Sequence, residues 1–284
     1  MRERLGGKGV EEVLESLLAE GEGYPERQRE FASVRYYLCD LLTEVTKQWW
    51  TRTNGATNYA PLVGDILRFN KSNESVCLVT FNYDLLLERA LYTFDFKRRE
   101  PEEHLSSHPT LKLFKLHGSV DWSRLVDSNL PEGTRLQPQH LIEEAATIQP
   151  SDKFVLAHAT NDYEMHQFGK PIFPAIAIPL RTKSNDHFEC PIAHRNYLAG
   201  MLPHITKILI IGWQAKEAHF LRMLQSNLPK LSHVMVVGQN ATDADGTLKY
   251  FQTEIRLDVP SKFVGQGGFT EFIVNREGDR FFKA

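Results

Sequence analysis

Cysteine is scarce in this chain, and what there is lies scattered. Cys39, Cys77 and Cys190 are the three among 284 residues, and no two fall within four positions. That spacing excludes a zinc ribbon, which needs Cys-x-x-Cys half-sites, and it excludes a disulfide framework. A basic excess is also missing: 33 Lys and Arg stand against 36 Asp and Glu, a net charge of −3. No nucleic acid is expected as partner, because such a partner leaves a basic footprint. Long apolar runs are absent too. Runs such as Ile208–Ile211 fall far short of the roughly 20 residues that cross a bilayer, so no membrane is expected. Met1-Arg-Glu-Arg-Leu-Gly-Gly carries no apolar stretch of the kind that marks a secretory signal, and a reducing, cytoplasmic setting is expected.

What is present is globular. Hydrophobic residues make up 42% and charged residues 24%, enough to build a sizeable core. The first seventy residues read as helices. Val10, Val13, Leu14, Leu17 and Leu18 form one stripe at helical spacing; Val34, Leu38, Leu41, Leu42 and Val45 form a second between Phe31 and Trp50. A third helix is expected over 59–69. The pattern then changes. Val76-Cys-Leu-Val-Thr is a short continuous apolar run, as in a strand buried on both faces of a parallel sheet. Leu85–Tyr92 follows at helical spacing, and 111–116 is a second strand. The stretch from Ser119 to about Pro150 reads as irregular, with Pro131 and Pro138 as breakers. Phe154–Ala157 reads as a short strand. Ile172-Phe-Pro-Ala-Ile-Ala-Ile-Pro is apolar but broken by proline, which confines it to a sheet edge or a loop. Lys207–Ile211, a helix over 216–228 and Val234–Val237 then make a βαβ unit. The expected fold is one α/β domain over 1–284 with a Rossmann-like parallel sheet. It has a helical segment at 1–70, a core at 76–118 and 205–284, and an irregular or helical insertion at 119–204.

Ligands of open parallel sheets bind beyond the carboxyl ends of the strands, which directs attention to four short segments. Phe81-Asn82-Tyr83-Asp84 follows the first strand and His117-Gly118-Ser119-Val120-Asp121-Trp122 the second; Gly212-Trp213-Gln214 and Gly238-Gln239-Asn240 follow the last two. Each has a plainer reading: Asp84 as a helix cap, His117 as a structural histidine, Gly212 as a tight turn.

Thr80-Phe-Asn-Tyr-Asp followed by Lys115-Leu-His-Gly-Ser-Val-Asp-Trp resembles the paired signature of the sirtuin-like domains of prokaryotic NAD hydrolases. Pro174–Pro179 before Lys183, Ile208–Trp213 running on to Glu217-Ala-His-Phe, and Gly268-Phe-Thr-Glu-Phe-Ile are similar in weaker ways. The resemblance implies NAD as substrate rather than retained cofactor, no metal, and cleavage of its N-glycosidic bond with release of nicotinamide. It further implies a role in antiviral defence. Asn82 matches the asparagine that orients the nicotinamide ribose and the attacking water, and His117 matches the general base. Asp84 matches the acid near the carboxamide, and Thr80 and Phe81 beside it count among the NAD-binding positions. Gly212, Trp213 and Gln214 fall under the diphosphate or ribose, and Asn240 falls toward the adenosine ribose. Three scattered cysteines set the chain apart from the zinc-bearing protein deacylases.

Two departures matter. The family opens on a strand leading into Gly-Ala-Gly-x-Ser, whereas Gly6-Gly-Lys-Gly follows no strand here, and Gln214 stands where the family has serine. Three explanations are consistent with the first: a sequence that begins late, a strand supplied by a partner chain or a second copy, or a non-catalytic nucleotide- or partner-binding relative.

Overall fold

The computed structural model describes residues 24–70, 74–97, 99–106, 108–127, 137–161, 168–178, 188–256, 259–265 and 267–283. The stripe expected at Val10–Leu18, Gly6-Gly-Lys-Gly, Pro131, Pro179 and Lys183 lie outside the described residues. The chain divides into two compact units: residues 1–54, 77–85 and 97–192 make the first, and 55–76, 86–96 and 193–284 the second.

The first unit is built on two sheets. Strand β1 (Val76–Thr80) enters it at Cys77 and pairs with β2 (Leu111–Lys115). Leu116 N–H donates to Thr80 O at 3.2 Å, joining the carboxyl ends of both strands, so the two run parallel. Strand β3 (Gly118–Asp127) is the centre of an antiparallel sheet between β4 (Gln149–Leu156) and β5 (Ile172–Ile176). Helix α1 (Pro25–Arg52) packs across β5 and β3, with a short α4 (Pro138–Glu143) beside it. Its Ala32 and Tyr36 join Val126, Leu141, Ala159 and Phe173 in one cluster, and the Tyr36 hydroxyl donates to Ile172 O at 3.2 Å.

Two expectations fail in this unit. The stretch expected to be irregular from Ser119 instead opens within a ten-residue strand, Gly118–Asp127. Its period of two sets Val120 and Trp122 on one face and Ser119, Asp121 and Ser123 on the other. The polar face is nonetheless buried, because its groups bond one another and the backbone: Ser119 Oγ donates to Asp121 at 2.6 Å, and Ser123 Oγ donates to Ala157 O at 2.7 Å. The core stripe of α1 is also different. Tyr36 and Cys39 are buried, whereas Leu41 and Val45 are exposed and form, with Tyr37 and Trp49, an apolar ridge at four-residue spacing. The proline-bearing segment, by contrast, is the edge strand β5, with Pro174 opposite Ser123.

The second unit holds a three-stranded parallel sheet in the order β6 (Lys207–Ile211), β7 (His233–Val237), β8 (Ser261–Gly265). Helix α6 (Ala218–Asn227) joins the first pair and α7 (Ala241–Ile255) the second. Continuous apolar sequence suits the central strand β7, which is buried from Val234 to Val237, whereas β6 and β8 are mostly half-buried. Helices α2 (Tyr59–Phe69) and α3 (Leu86–Tyr92) pack on each other, and α2 meets α9 (Gly278–Lys283), where Phe69 stacks on Phe282 at 5.9 Å. Helices α5 (Ile192–Met201) and α8 (Gly268–Val274) complete the unit, α8 where a closing helix was expected. The architecture is thus mixed α/β with parallel strands in both units. Of the segments expected in the core, 77–85 and 97–118 belong to the first unit and 205–284 to the second. Among the described residues no helix is long and apolar enough to cross a membrane.

Candidate functional site

The turn that leaves β1 is held from four directions. Asn82 N–H donates to Thr80 Oγ1 at 3.1 Å, closing a side-chain turn of the kind threonine favours. Thr80 O accepts from Leu116 N–H, and Tyr83 O accepts from Val120 N–H at 3.0 Å. The Lys115 ammonium donates to Tyr83 O at 3.4 Å and to Asp84 O. The turn is therefore pinned to the segment carrying His117, and Asn82 sits at its apex with an exposed side chain. Asp84 is half-buried, two residues before α3.

His117 lies directly below this turn. Its ring centroid is 4.8 Å from that of Phe81, and it stacks on Tyr83 at 6.2 Å and 26°. The imidazole is 6% exposed, and its carbonyl accepts from Ala177 N–H at 2.9 Å. The next residue has to be glycine. Gly118 has φ +85°, and a Cβ there would lie 1.8 Å from Ala175 O. The chain can swing from β2 into β3 against β5 only without a side chain at that point. Thr80, Phe81, Asn82, Asp84 and His117 are thus brought together as expected from strand-end logic, with Asn82 facing solvent and His117 enclosed by aromatic rings.

The other four expected residues lie in the second unit. Gly212 N–H donates to Val237 O at 3.0 Å, joining the ends of β6 and β7. Gly212 has φ +65°, and nothing lies within 4 Å of where its Cβ would be, so open space faces this backbone. Ala215 follows at φ +56° and is fully buried; a non-glycine residue held there stores about 1–3 kcal/mol of strain. Trp213 packs tilted against Phe220 at 5.4 Å and edge-on against Phe251 at 6.3 Å, and its indole N–H donates to Glu217. Gln214 is exposed. Asn240 is occupied locally. It is the N-cap of α7, its side chain accepting from Asp243 N–H at 2.9 Å, while Asp243 accepts from Gln239 N–H at 3.0 Å. Its carbonyl oxygen is committed to the helix, which leaves the amide group to face solvent.

Residue-type reasoning passed over Lys115 and Tyr83 as individuals. The signal was there for Lys115 in part: a lysine that closes a strand must find acceptors wherever that strand is buried, as this one is. A second histidine, His158, takes no part in this turn. It sits between Thr43 Oγ1 at 2.8 Å and Thr160 Oγ1 at 2.9 Å, and Thr160 donates on to Asp40, so it ties α1 to the chain after β4. Cys39, beside it, donates to Val120 O at 3.2 Å. Burial pushes that thiol up to about 12, with the charges of Asp40 and Asp121 adding to the effect, which keeps it a protonated thiol rather than a nucleophile.

A cavity of about 330 Å³ lies elsewhere on the first unit, lined by Asp127, Thr147, Gln149, Pro150, Ser151 and Asp152. Its two carboxylates are engaged with Lys170 and Arg124, and it lacks the apolar lining of a ligand pocket. Among the described residues no group of three or more His, Cys, Asp or Glu is placed to hold a metal ion. No protein-family model matches this chain, and neither a curated protein nor a solved structure matches it.

Proposed function

We propose that the chain is a sirtuin-like NAD⁺ glycohydrolase with a Rossmann-like nucleotide-binding core. The observation that carries this reading is the pinned turn with exposed Asn82 at its apex and His117 beneath it, at the carboxyl ends of two parallel strands. In the reaction, the bond between ribose C1′ and the nicotinamide nitrogen breaks, and its electron pair neutralises the pyridinium. Water bonds to C1′ and gives up a proton, so NAD⁺ and water yield ADP-ribose, nicotinamide and H⁺. Asn82 supplies an amide that can donate to a ribose hydroxyl and accept from the water. His117 takes the proton, the role in which a positioned histidine is worth about 10²- to 10⁴-fold. Within the second unit, taken by itself, the open backbone at Gly212, flanked by Trp213 and Gln214, is a turn that a phosphate could approach closely. A part in antiviral defence, through depletion of cellular NAD⁺, rests on the sequence resemblance alone.

A second reading has its own support. The parallel strands form two separate sheets, and the side-chain oxygen of Asn240 is committed to a cap. Both features suit a non-catalytic module that binds NAD, ADP-ribose or a protein partner. Incubation with NAD⁺ and chromatography of the products separates the two. Equimolar nicotinamide and ADP-ribose support the hydrolase. Calorimetric binding of NAD⁺ without any product supports the binding module.

A further inference from the structure

His158 lies just beyond β4, two residues past Leu156, and both nitrogens of its ring face hydroxyl groups. Nε2 is 2.8 Å from Thr43 Oγ1, and Nδ1 is 2.9 Å from Thr160 Oγ1. A hydroxyl carries one proton, so where that proton goes decides what the ring must supply. Thr43 Oγ1 also lies 2.7 Å from the carbonyl oxygen of Cys39, which can only accept. The Thr43 proton is therefore spent on α1 itself, in the back-bond that threonine makes within a helix. Thr160 Oγ1 is in contact with Oδ1 of Asp40, and an ionised carboxylate likewise only accepts. Each hydroxyl thus turns a lone pair toward the imidazole, and each short contact needs an N–H from the ring. Cys39 fits the same count: its thiol proton goes to Val120 O at 3.2 Å, which leaves sulfur lone pairs toward Nε2 at 3.7 Å. Thr160 N–H also approaches Nδ1, but at 3.4 Å it is the longer and weaker contact.

Two contacts link Nδ1, Thr160 and Asp40, and the hydroxyl supplies one of the two protons they need. The other sits on the ring or on the carboxyl group, and imidazole is the stronger base. The surroundings favour a cation as well, since the charges of Asp40 and Asp121 both reach Cys39. We infer that His158 is doubly protonated in the folded protein and forms a charged clasp with Asp40, relayed through the Thr160 hydroxyl, that fastens α1 to the chain after β4. The clasp bears on the neighbouring core. Cys39, next to Asp40, donates to Val120 O, and Val120 N–H in turn holds Tyr83 O.

The test uses the full chain at pH 7.5, where an ordinary histidine is about nine-tenths neutral. In nitrogen-15 correlation spectra, both ring nitrogens of His158, assigned by their loss in His158→Gln, show the shift of protonated imidazolium nitrogens. In Asp40→Asn, a change at an exposed position, Nδ1 moves to the unprotonated shift, because the new amide donates to Thr160 and releases the hydroxyl proton toward the ring. An unprotonated ring nitrogen in the wild type overturns the inference, and so does an unchanged Nδ1 in Asp40→Asn. Denaturant unfolding at the same pH gives a second readout. Asp40→Asn and His158→Gln together raise the unfolding equilibrium constant at least about fivefold less than the product of their separate effects; purely multiplicative effects overturn the relay. If His158→Gln does not fold, Thr160→Val, which removes the relaying hydroxyl and keeps the ring, takes its place in both arms.

Discussion

His117 and Gly118 are neighbours, yet they respond to substitution for different reasons. His117→Ala removes the proton acceptor of the proposed reaction and leaves a gap between Phe81 and Tyr83. We expect kcat/KM for NAD⁺ to fall by about 10²- to 10⁴-fold, with stability reduced by about 1–3 kcal/mol. Asn82→Ala should lose comparable activity with no measurable change in stability, because that side chain is exposed; matched denaturant melts and nicotinamide assays check both. Gly118→Ala acts on the fold itself. The new methyl would meet Ala175 O at 1.8 Å at a backbone φ of +85°, and the loss should reach about 3 kcal/mol or more. Equal urea midpoints for wild type and Gly118→Ala would contradict the geometry of the β2–β3 connection.

At the scale of elements, α7 isolates one interaction. Asn240 caps it through Asp243 N–H, so Asn240→Ala should cost about 1 kcal/mol, and Asn240→Asp, which keeps the acceptor, only a small part of that. Denaturant midpoints at constant m-value measure it. The elements also show what sequence could reveal. Strands β1, β6 and β7 were legible as short continuous apolar runs, although only β7 is buried along most of its length, while β1 and most of β6 are half-buried. Strand β3 was missed although Gly118-Ser-Val-Asp-Trp-Ser carries the alternation of a strand; what the sequence does not say is that Ser119, Asp121 and Ser123 find buried partners. The buried face of α1 was misassigned for a related reason: Leu41 and Val45 are apolar yet exposed. In the candidate site, strand-end logic pointed to the segments that carry Asn82 and His117, which the hydrogen bonds and ring contacts set side by side. It could not find that Lys115 holds the turn between them, because backbone carbonyl acceptors leave no trace in side-chain identity.

For the whole molecule, buried Cys39 and Tyr36 and half-buried Cys77 contribute to the response to alkali. Burial raises the thiols of Cys39 and Cys77 from 9.0 to about 12 and raises the Tyr36 phenol above its ordinary 10.0. Between pH 9 and 12 the unfolded chain has given up these protons and the folded chain has kept them. The unfolded state then binds fewer protons, so stability is intact below pH 9 and falls as pH rises through that window. Thermal midpoints from pH 7 to 10.5 should decline above pH 9, and Cys39 should resist a thiol reagent at pH 8 until the protein unfolds; a midpoint that rises with alkali would contradict the burial of these groups. The central claim is chemical, however, and one time course tests it most directly: NAD⁺ incubated with wild type, Asn82→Ala and His117→Ala at equal concentration, with nicotinamide quantified. The account predicts steady release by the wild type and release reduced at least about 100-fold in both variants. Equal release by all three proteins, or none by the wild type, would contradict it.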